Sequence, residues 1–257
     1  MNRNDTEKAL EEKLCALEEE NRQLKDTLDQ REKFIRVTFG RYLSQEVLEE
    51  IMRQEGHTVQ GESRVVTMMF TDLRDSTFLS EHMRSDDFVR MLNHYYSEMI
   101  KFVNAWQGNI LEFVGDAIVA VFGAPHENKE AAKDSIACAV AMQRCMKKVN
   151  EWNQQEGYPD LSMGIGIHTG WAILGTIGSD VRAKYDMIGR NVNLAARIQS
   201  YAAGGQILIS DDTLRAAGSD VILNPAGSRL IHPKGILNEV TVHDVIGYGS
   251  KQLPDRM

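Results

Sequence analysis

Two aspartates in this chain each follow an apolar stretch that is typical of a β-strand. The run 65–70 leads to Asp72, and the run 109–114 leads through Gly115 to Asp116. A lone aspartate in such a place is usually a turn residue or a helix cap. Two at neighbouring strand ends can share a divalent cation, because Mg²⁺ prefers carboxylate oxygens and is often bound together with substrate phosphates. The pair therefore indicates a site for a nucleoside triphosphate.

A second pair of polar residues lies in a predicted helix, 191–201. Asn193 and Arg197 are four residues apart, so both side chains project from one face of the helix and can reach the same ligand. An arginine standing alone would more simply be a surface ion-pair residue. Its neighbours decide between the two interpretations.

Three segments together resemble the catalytic domain of class III nucleotidyl cyclases, the adenylyl and guanylyl cyclases. They read FTDLRDST (70–77), EFVGDAIVAV (112–121) and YDMIGRNVNLAAR (185–197). The resemblance covers about residues 60–247, with the motifs in the family's order. It implies an α+β fold, a ferredoxin-like α/β sandwich of the class III cyclase type. It also implies a reaction, attack of the ribose 3′-oxygen on the α-phosphorus with pyrophosphate leaving.

The resemblance assigns the reacting end of the site. It implies that Asp72 and Asp116, with the carbonyl of Leu73, hold two divalent cations, Mg²⁺ or Mn²⁺. It implies further that Asn193 orients the ribose and that Arg197 stabilises the charge developing at the α-phosphate. Metal-assisted transfer then needs no protein base. His168, in the segment Gly-Ile-His-Thr-Gly, is accordingly expected to be structural.

Residues for the triphosphate are also carried over from the family. Asp75 stands where the family usually has Gly, and Ser76 stands where it often has Phe. Backbone amides at the helix start that follows can still face phosphate, although the carboxylate of Asp75 could weaken phosphate binding. The predicted phosphate-binding residues are Arg74, Asp75, Ser76, Thr77, Arg182 and Lys234.

Base recognition falls to Glu112 and Asp186, and these two residues disagree. Guanylyl cyclases carry Glu at the first position, and adenylyl cyclases carry Asp at the second. A carboxylate at 112 suits the N1–H and N2 amino donors of guanine, whereas one at 186 suits the N6 amino group of adenine. Each purine leaves one mismatch, which costs about 1 to 3 kcal/mol when it is buried. We expect ATP to be slightly favoured, because adenylyl activity is commoner among bacterial members, and GTP is the alternative.

Residues 1–35 are predicted to form a coiled-coil dimerisation helix. Between residues 7 and 35 apolar residues recur at alternate spacings of four and three, the pattern of a coiled-coil seam. Asn21, an isolated polar residue at an a position, favours a parallel, in-register pair. A solitary, solvated helix is the alternative. The apolar seam residues are Leu10, Leu14, Leu17, Leu24, Leu28 and Ile35.

The remaining organisation follows from composition shifts and local patterns. Residues 36–59 are predicted to be a transducer or linker, with a helix starting after Ser44, and 60–250 the catalytic domain. The linker resembles the segment that often precedes bacterial cyclase domains, and a mere spacer is the alternative. Within the domain we expect helices over one face of a mostly antiparallel sheet, with a strand over 161–169 that ends at Gly170.

Composition excludes several other classes of function. The 257 residues carry a formal net charge of −8, which argues against nucleic-acid binding because neutralising phosphates requires clustered Lys and Arg. No apolar run is long enough for a membrane span, and a cytoplasmic protein is expected. The three cysteines form no metal-ligand pattern.

The resemblance implies a homodimer with its active sites at the interface between two chains. A catalytically silent regulatory module, in which the coiled coil is the functional part, is the rival hypothesis from another class. A decayed site would tend to lose at least one of the metal acids, the Asn or the Arg, and all are present. A diguanylate cyclase is disfavoured because its Gly-Gly-Asp/Glu-Glu-Phe signature does not occur in the sequence.

Overall fold

The N-terminal part of the chain is helical. The computed structural model describes residues 3–40, 43–53, 61–179, 181–236 and 238–253, and the chain divides into two units, Met1–Met52 and Arg53–Met257. Helix α1 spans Arg3–Phe39 and α2 spans Gln45–Arg53. The side chain of Leu10 and residues 54–60 lie outside the described part, and so does the expected boundary between residues 59 and 60.

The predicted seam is exposed within a single chain. Leu14, Leu17, Leu24 and Leu28 each leave more than half of their surface open to solvent. At the far end of α1, Arg36 forms ion pairs with Glu32 and with Glu49 of α2, at 2.8 and 3.0 Å. The hydroxyl of Ser44 accepts a hydrogen bond from the Val47 amide at 3.3 Å, as expected for a residue that caps α2.

The second unit alternates strands and helices. In chain order its elements are β1 Glu62–Leu73, α3 Ser76–His82, α4 Ser85–Ala105, β2 Gly108–Val114, β3 Ala117–Phe122, α5 Ala131–Gln155, β4 Met163–Gly178, β5 Ala183–Ile188, α6 Arg190–Ser200, β6 Ile207–Ser210, α7 Asp211–Ala217, β7 Val221–Leu223, β8 Arg229–Ile231, β9 Val240–Tyr248 and β10 Lys251–Gln252.

These strands form one sheet in the described residues, ordered β10-β9-β6-β4-β1-β3-β2, with β5 paired to β4 and with β7 and β8 paired to β9. All of its pairings are antiparallel except that of β4 with β6. The α+β fold and the mostly antiparallel sheet predicted from the sequence are confirmed. The central strands β1, β3 and β4 consequently carry the ends at which the candidate site residues lie.

Helices cover both faces of the sheet, and the expectation of a single covered face is wrong. On one face Met69 and Ile165 belong to the main core together with Met91 of α4 and Ile136 of α5. On the opposite face α6 packs against β4. Gly166 permits this approach, because a Cβ there would lie 2.2 Å from the backbone nitrogen of Gln199.

Strand β4 is longer than the sequence indicated. It runs through Gly170 to Gly178 and pairs with β5, which was not predicted. Gly170 was taken as a strand end, but its role is close approach: a Cβ there would lie 2.7 Å from Nδ2 of Asn191. The resulting β4–β5 hairpin carries Asp186.

Candidate active site

The end of β1 and the turn between β2 and β3 bring Asp72 and Asp116 together. The backbone amide of Leu73 donates a 2.8 Å hydrogen bond to Oδ2 of Asp116, across 43 residues of sequence. Burial raises the pKa of Asp72, and the nearby Asp116 carboxylate raises it further while Arg74 lowers it. Two carboxylates whose negative charges repel each other in this way are suited to binding a shared cation.

Aromatic residues of α4 hold the turn that carries Asp116. The hydroxyl of Tyr96 donates a hydrogen bond to the carbonyl oxygen of Gly115, and its ring lies 4.7 Å from that of Phe113. Gly115 has φ of 61°, a conformation that favours glycine. Backbone geometry and packing therefore place Asp116, and no long side chain is needed to orient it.

Arg74 lies beside Asp72, one of the predicted metal ligands. Its Nη2 is 2.6 Å from Oδ1 of Asp72, and its backbone amide donates to the carbonyl of Ser162 at 2.8 Å. Its Nε is buried with no hydrogen-bond partner among the described residues. The sequence predicted that Arg74 contacts phosphate, and the structure places its guanidinium in an ion pair with Asp72.

The other predicted residues of the phosphate turn begin α3. Asp75 precedes the helix with φ of 59° and ψ of 17°, a left-handed conformation. Ser76 and Thr77 form its first turn. Glycine, the family's usual residue, adopts this backbone without cost, and aspartate is among the few others that do so with modest strain.

The two carboxylates predicted to read the base share a lysine. Nζ of Lys184 is 2.9 Å from Oδ2 of Asp186 and also forms an ion pair with Oε2 of Glu112. A register shift in β2 lies between Ile110 and Glu112, and such bulges re-aim side chains. Sequence reasoning missed Lys184, although its position two residues before Asp186 in an extended segment could have indicated a shared face.

The predicted catalytic pair lies on α6, and its environment is open. Asn193 and Arg197 are both exposed, and neither side chain has a hydrogen-bond partner in the part of the chain that is described. Arg182 lies in the β4–β5 turn, where its amide donates to the carbonyl of Ser179 at 3.1 Å. Lys234 lies exposed in the segment between β8 and β9. Among the described residues, none of these four forms a hydrogen bond or ion pair with Asp72 or Asp116.

A buried polar network anchors the start of α6. His168 bonds through Nδ1 to Oγ of Ser210 at 2.7 Å and through Nε2 to Oδ1 of Asn191 at 3.2 Å. Asn191 in turn donates to the carbonyl of Trp171 at 2.9 Å. Burial lowers the pKa of His168. These contacts agree with the structural role expected for this histidine. Through Asn191 they fix the start of the helix that bears Asn193.

Apolar side chains are exposed on the sheet near the β4–β5 hairpin. Val65 lies opposite Trp171, and Ile173 lies opposite Ile188. Directly opposed residues of antiparallel strands share a face, and so do Trp171 and Ile173, which lie two apart on β4. All four side chains therefore lie on one face. Each leaves at least 43% of its surface exposed. We call these four residues the hairpin patch.

The residues present fit a divalent-cation site that is completed by a ligand. The described residues contain no cluster of three or more His, Cys, Asp or Glu side chains suited to a metal. Asp72 and Asp116 supply two carboxylates, and Leu73 supplies a backbone carbonyl next to them. This short donor set suits Mg²⁺, which commonly takes its other ligands from substrate phosphates and water. Among the helices described, none is long and apolar enough to cross a membrane.

Curated proteins that resemble the chain include named cyclases. It is 32% identical to adenylate cyclase of Anabaena cylindrica over 213 residues, 80% of this chain and 40% of that protein. It is 30% identical to adenylate cyclase 1 of Rhizobium meliloti over 184 residues, 71% of this chain and 27% of that protein. The chain thus matches well under half the length of these relatives.

Solved structures resemble about three quarters of this chain over almost their own whole length. The crystal structure of the guanylyl cyclase Cya2 is 41% identical with a TM-score of 0.73, covering 76% of this chain and 100% of that one. The adenylyl cyclase CyaB from P. aeruginosa is 31% identical with a TM-score of 0.71, covering 75% and 98%. The family model described as the adenylate and guanylate cyclase catalytic domain matches residues 59–235. The chain therefore belongs to the class III adenylyl and guanylyl cyclase family, as its motifs predicted.

Proposed function

We propose that the chain is a homodimeric nucleotidyl cyclase. It converts a purine nucleoside triphosphate, with ATP slightly favoured, to the 3′,5′-cyclic monophosphate and pyrophosphate. The observation that carries the proposal is the hydrogen bond from the Leu73 amide to Asp116, which holds Asp116 next to the strand end that bears Asp72. The product serves as a signal inside the cell, and the need for nucleoside triphosphates and Mg²⁺ supports a cytoplasmic location.

The chain's own residues divide the work of phosphoryl transfer. Asp72, Asp116 and the Leu73 carbonyl would hold two ions of Mg²⁺ or Mn²⁺. Such ions supply activation of the ribose 3′-hydroxyl and neutralisation of phosphate charge. Asn193 orients the ribose, and Arg197 donates hydrogen bonds to the α-phosphate as negative charge develops there. Positioning and electrostatics supply most of the rate in reactions of this kind.

Two chains complete the site. Among the described residues Asn193 and Arg197 form no hydrogen bond or ion pair with Asp72 or Asp116, and both are exposed as a shared site requires. The hairpin patch offers apolar surface for an isologous interface with a second copy. The exposed leucines of α1 support a parallel coiled coil that raises the effective concentration of the two catalytic units.

Guanylyl cyclase activity is the second candidate. Glu112 favours it, and the solved structure of Cya2, a guanylyl cyclase, is 41% identical to the chain. The direct test incubates the purified protein with each of the four nucleoside triphosphates and with Mg²⁺ or Mn²⁺, followed by mass identification of products. Cyclic AMP or cyclic GMP with pyrophosphate is expected. A folded dimer that forms no product with any of them would support the silent regulatory module instead.

Complementation tests the shared site. Asp72→Ala and Arg197→Ala chains should each be inactive alone, and mixing them should restore one intact site per mixed dimer. Two Asp72→Ala chains carrying different tags serve as the matched control, because they form mixed dimers without an intact site. Mixed dimers of Asp72→Ala with Arg197→Ala that stay inactive would place the whole site within one chain.

A further inference from the structure

One lysine links the two carboxylates at the base-reading end of the site. Lys184 and Asp186 lie two residues apart on β5, so their side chains leave the same face of the strand. Glu112 reaches them from β2, 72 residues away in sequence. The ammonium of Lys184 is in ion-pair contact with both acids. A single cation therefore joins anions from two separate strands.

The arrangement leaves hydrogen-bonding capacity for a ligand. An ammonium group carries three hydrogens, and the described contacts of Lys184 use two of them. About half of its side chain is exposed, as is 40% of Glu112. Lys184 has room to meet a bound molecule without leaving its partners.

This geometry removes the mismatch that the two carboxylates create for either purine. Two acids alone can only accept hydrogen bonds, so they leave N1 of adenine or O6 of guanine facing a carboxylate. We propose that Lys184 reads the base by donating a hydrogen bond to N1 of adenine or to O6 of guanine. This inference rests on the proposed function and names the substrates of the same site.

The consequence is a site that accepts both purines. With adenine, Asp186 accepts from the N6 amino group while Lys184 donates to N1. With guanine, Glu112 accepts from N1–H and from the N2 amino group while Lys184 donates to O6. Each base leaves one carboxylate paired with Lys184 and no acceptor opposite an acceptor. ATP and GTP are therefore used with kcat/KM values within about tenfold of each other, the cost of less than one hydrogen bond to a charged group.

The test removes the donor from the protein and the acceptor from the substrate. Lys184→Met should lower kcat/KM for ATP and for GTP by about tenfold or more, the value of a hydrogen bond to a charged group. The wild-type protein should use 1-deaza-ATP, which lacks the N1 acceptor, at least about tenfold less well than ATP. In Lys184→Met the two adenine nucleotides should differ by less than about threefold, because the donor is already absent. Lys184→Arg, which keeps a donor, should retain part of the discrimination.

A matched control separates base reading from surface charge. Lys133→Met removes a lysine of α5 that pairs at 2.5 Å with Glu130, the residue before the helix. It should leave the preference for ATP over 1-deaza-ATP at its wild-type value. Thermal unfolding of each variant checks that Glu112 and Asp186 tolerate the loss of their cation. If Lys184 is only a structural ion pair, Lys184→Met lowers activity but still discriminates against 1-deaza-ATP, and the inference is overturned. A wild-type protein that cyclises no nucleotide would overturn the proposed function itself.

Discussion

Two pairs of carboxylates define the candidate site, and they are held in different ways. Asp116 is fixed by a backbone amide, that of Leu73, and by a turn whose Gly115 carbonyl accepts from Tyr96. Glu112 is held by the ammonium of Lys184, which extends on a flexible stem from β5, whereas Asp186 is held both by that ammonium and by the Met187 amide, which donates to its Oδ1 at 2.9 Å. At the predicted metal end the position of Asp116 is therefore set by strand register and packing, whereas at the base end the position of Glu112 is set by a side-chain ion pair.

The difference assigns separate consequences to the two ends. A carboxylate placed by the backbone costs little conformational entropy to hold in position, which suits ligands that need near-fixed geometry. A carboxylate placed by a lysine can be retuned by one substitution without disturbing the sheet. We expect changes at the metal end to affect the rate for every substrate, and changes at the base end to affect the choice among substrates.

The largest expected effect is at the metal end. Asp116→Asn keeps an oxygen that can accept from the Leu73 amide but loses the charge, so activity with every nucleotide should fall by about a thousandfold or more while thermal stability is retained. Asp116→Ala should lose the same activity and also some stability. Steady-state kinetics with ATP and GTP, and thermal unfolding, measure both. Substantial turnover by Asp116→Asn would show that the charge of this carboxylate is not needed for the rate with every substrate.

The base end should respond by changing preference. Glu112→Lys removes the acceptor for guanine N1–H and the N2 amino group, so the ratio of kcat/KM for ATP over GTP should rise by about tenfold. Competition between the two nucleotides in one reaction measures the ratio directly. Glu62→Lys, at an exposed residue that pairs with Arg64, supplies a control of equal charge change. An unaltered ratio in Glu112→Lys would mean that this residue does not face the base.

The proximity of Asp72 and Asp116 was largely predictable from sequence, and the link between Glu112 and Asp186 through Lys184 was not. Asp72 and Asp116 follow strands whose alternation and turn glycine are local signals, so their meeting follows from strand pairing. The spacing of Lys184 and Asp186 was a usable signal, but it was missed because β5 was not predicted, and the contact with Glu112 has no local signal because the two residues lie 72 apart in sequence. The second covered face was missed because Gly166 gives no sign of what packs on it. The extension of β4 beyond Gly170 was missed for the same reason, since a glycine for close approach resembles a glycine that ends a strand.

His168 anchors the start of α6 through its side chain. His168→Ala removes the bonds to Ser210 and Asn191, so the free energy of unfolding at pH 7 should fall by about 1 to 3 kcal/mol. Burial lowers the pKa of this histidine, so the unfolded chain takes up a proton below about pH 6.5 that the folded chain rejects. Wild-type stability should therefore decline as the pH falls from 7 to 5, and the variant should decline less.

The control for His168 is another histidine that the fold leaves in solvent. His126→Ala, at an exposed position between β3 and α5, should change neither the stability at pH 7 nor its decline with acid. Chemical denaturation at several pH values measures the free energy of unfolding of the wild type, His168→Ala and His126→Ala. A decline in His168→Ala as steep as in the wild type would show that other groups carry the pH dependence.

The smallest expected effect concerns the one strained residue of the metal end. Asp75 has φ of 59°, so Asp75→Gly relieves left-handed strain but adds unfolded-state entropy, and stability should change by less than about 1 kcal/mol. Asp75→Ala gains neither a permitted backbone nor a local hydrogen bond, and it should be less stable than Asp75→Gly. Thermal melting of the two variants compares them. Equal stability would contradict the strain assigned to this position.

In the proposed dimer, the hairpin patch would make the rate of cyclic nucleotide formation depend on the concentration of the chain. If two chains must meet through Val65, Trp171, Ile173 and Ile188 before either site is complete, dimers accumulate with the square of chain concentration while most chains are single. Halving synthesis of the protein would then cut second-messenger production about fourfold rather than twofold. In the proposed dimer, a site shared across this surface would make output rise more steeply than protein concentration, so that small changes in gene dosage are amplified.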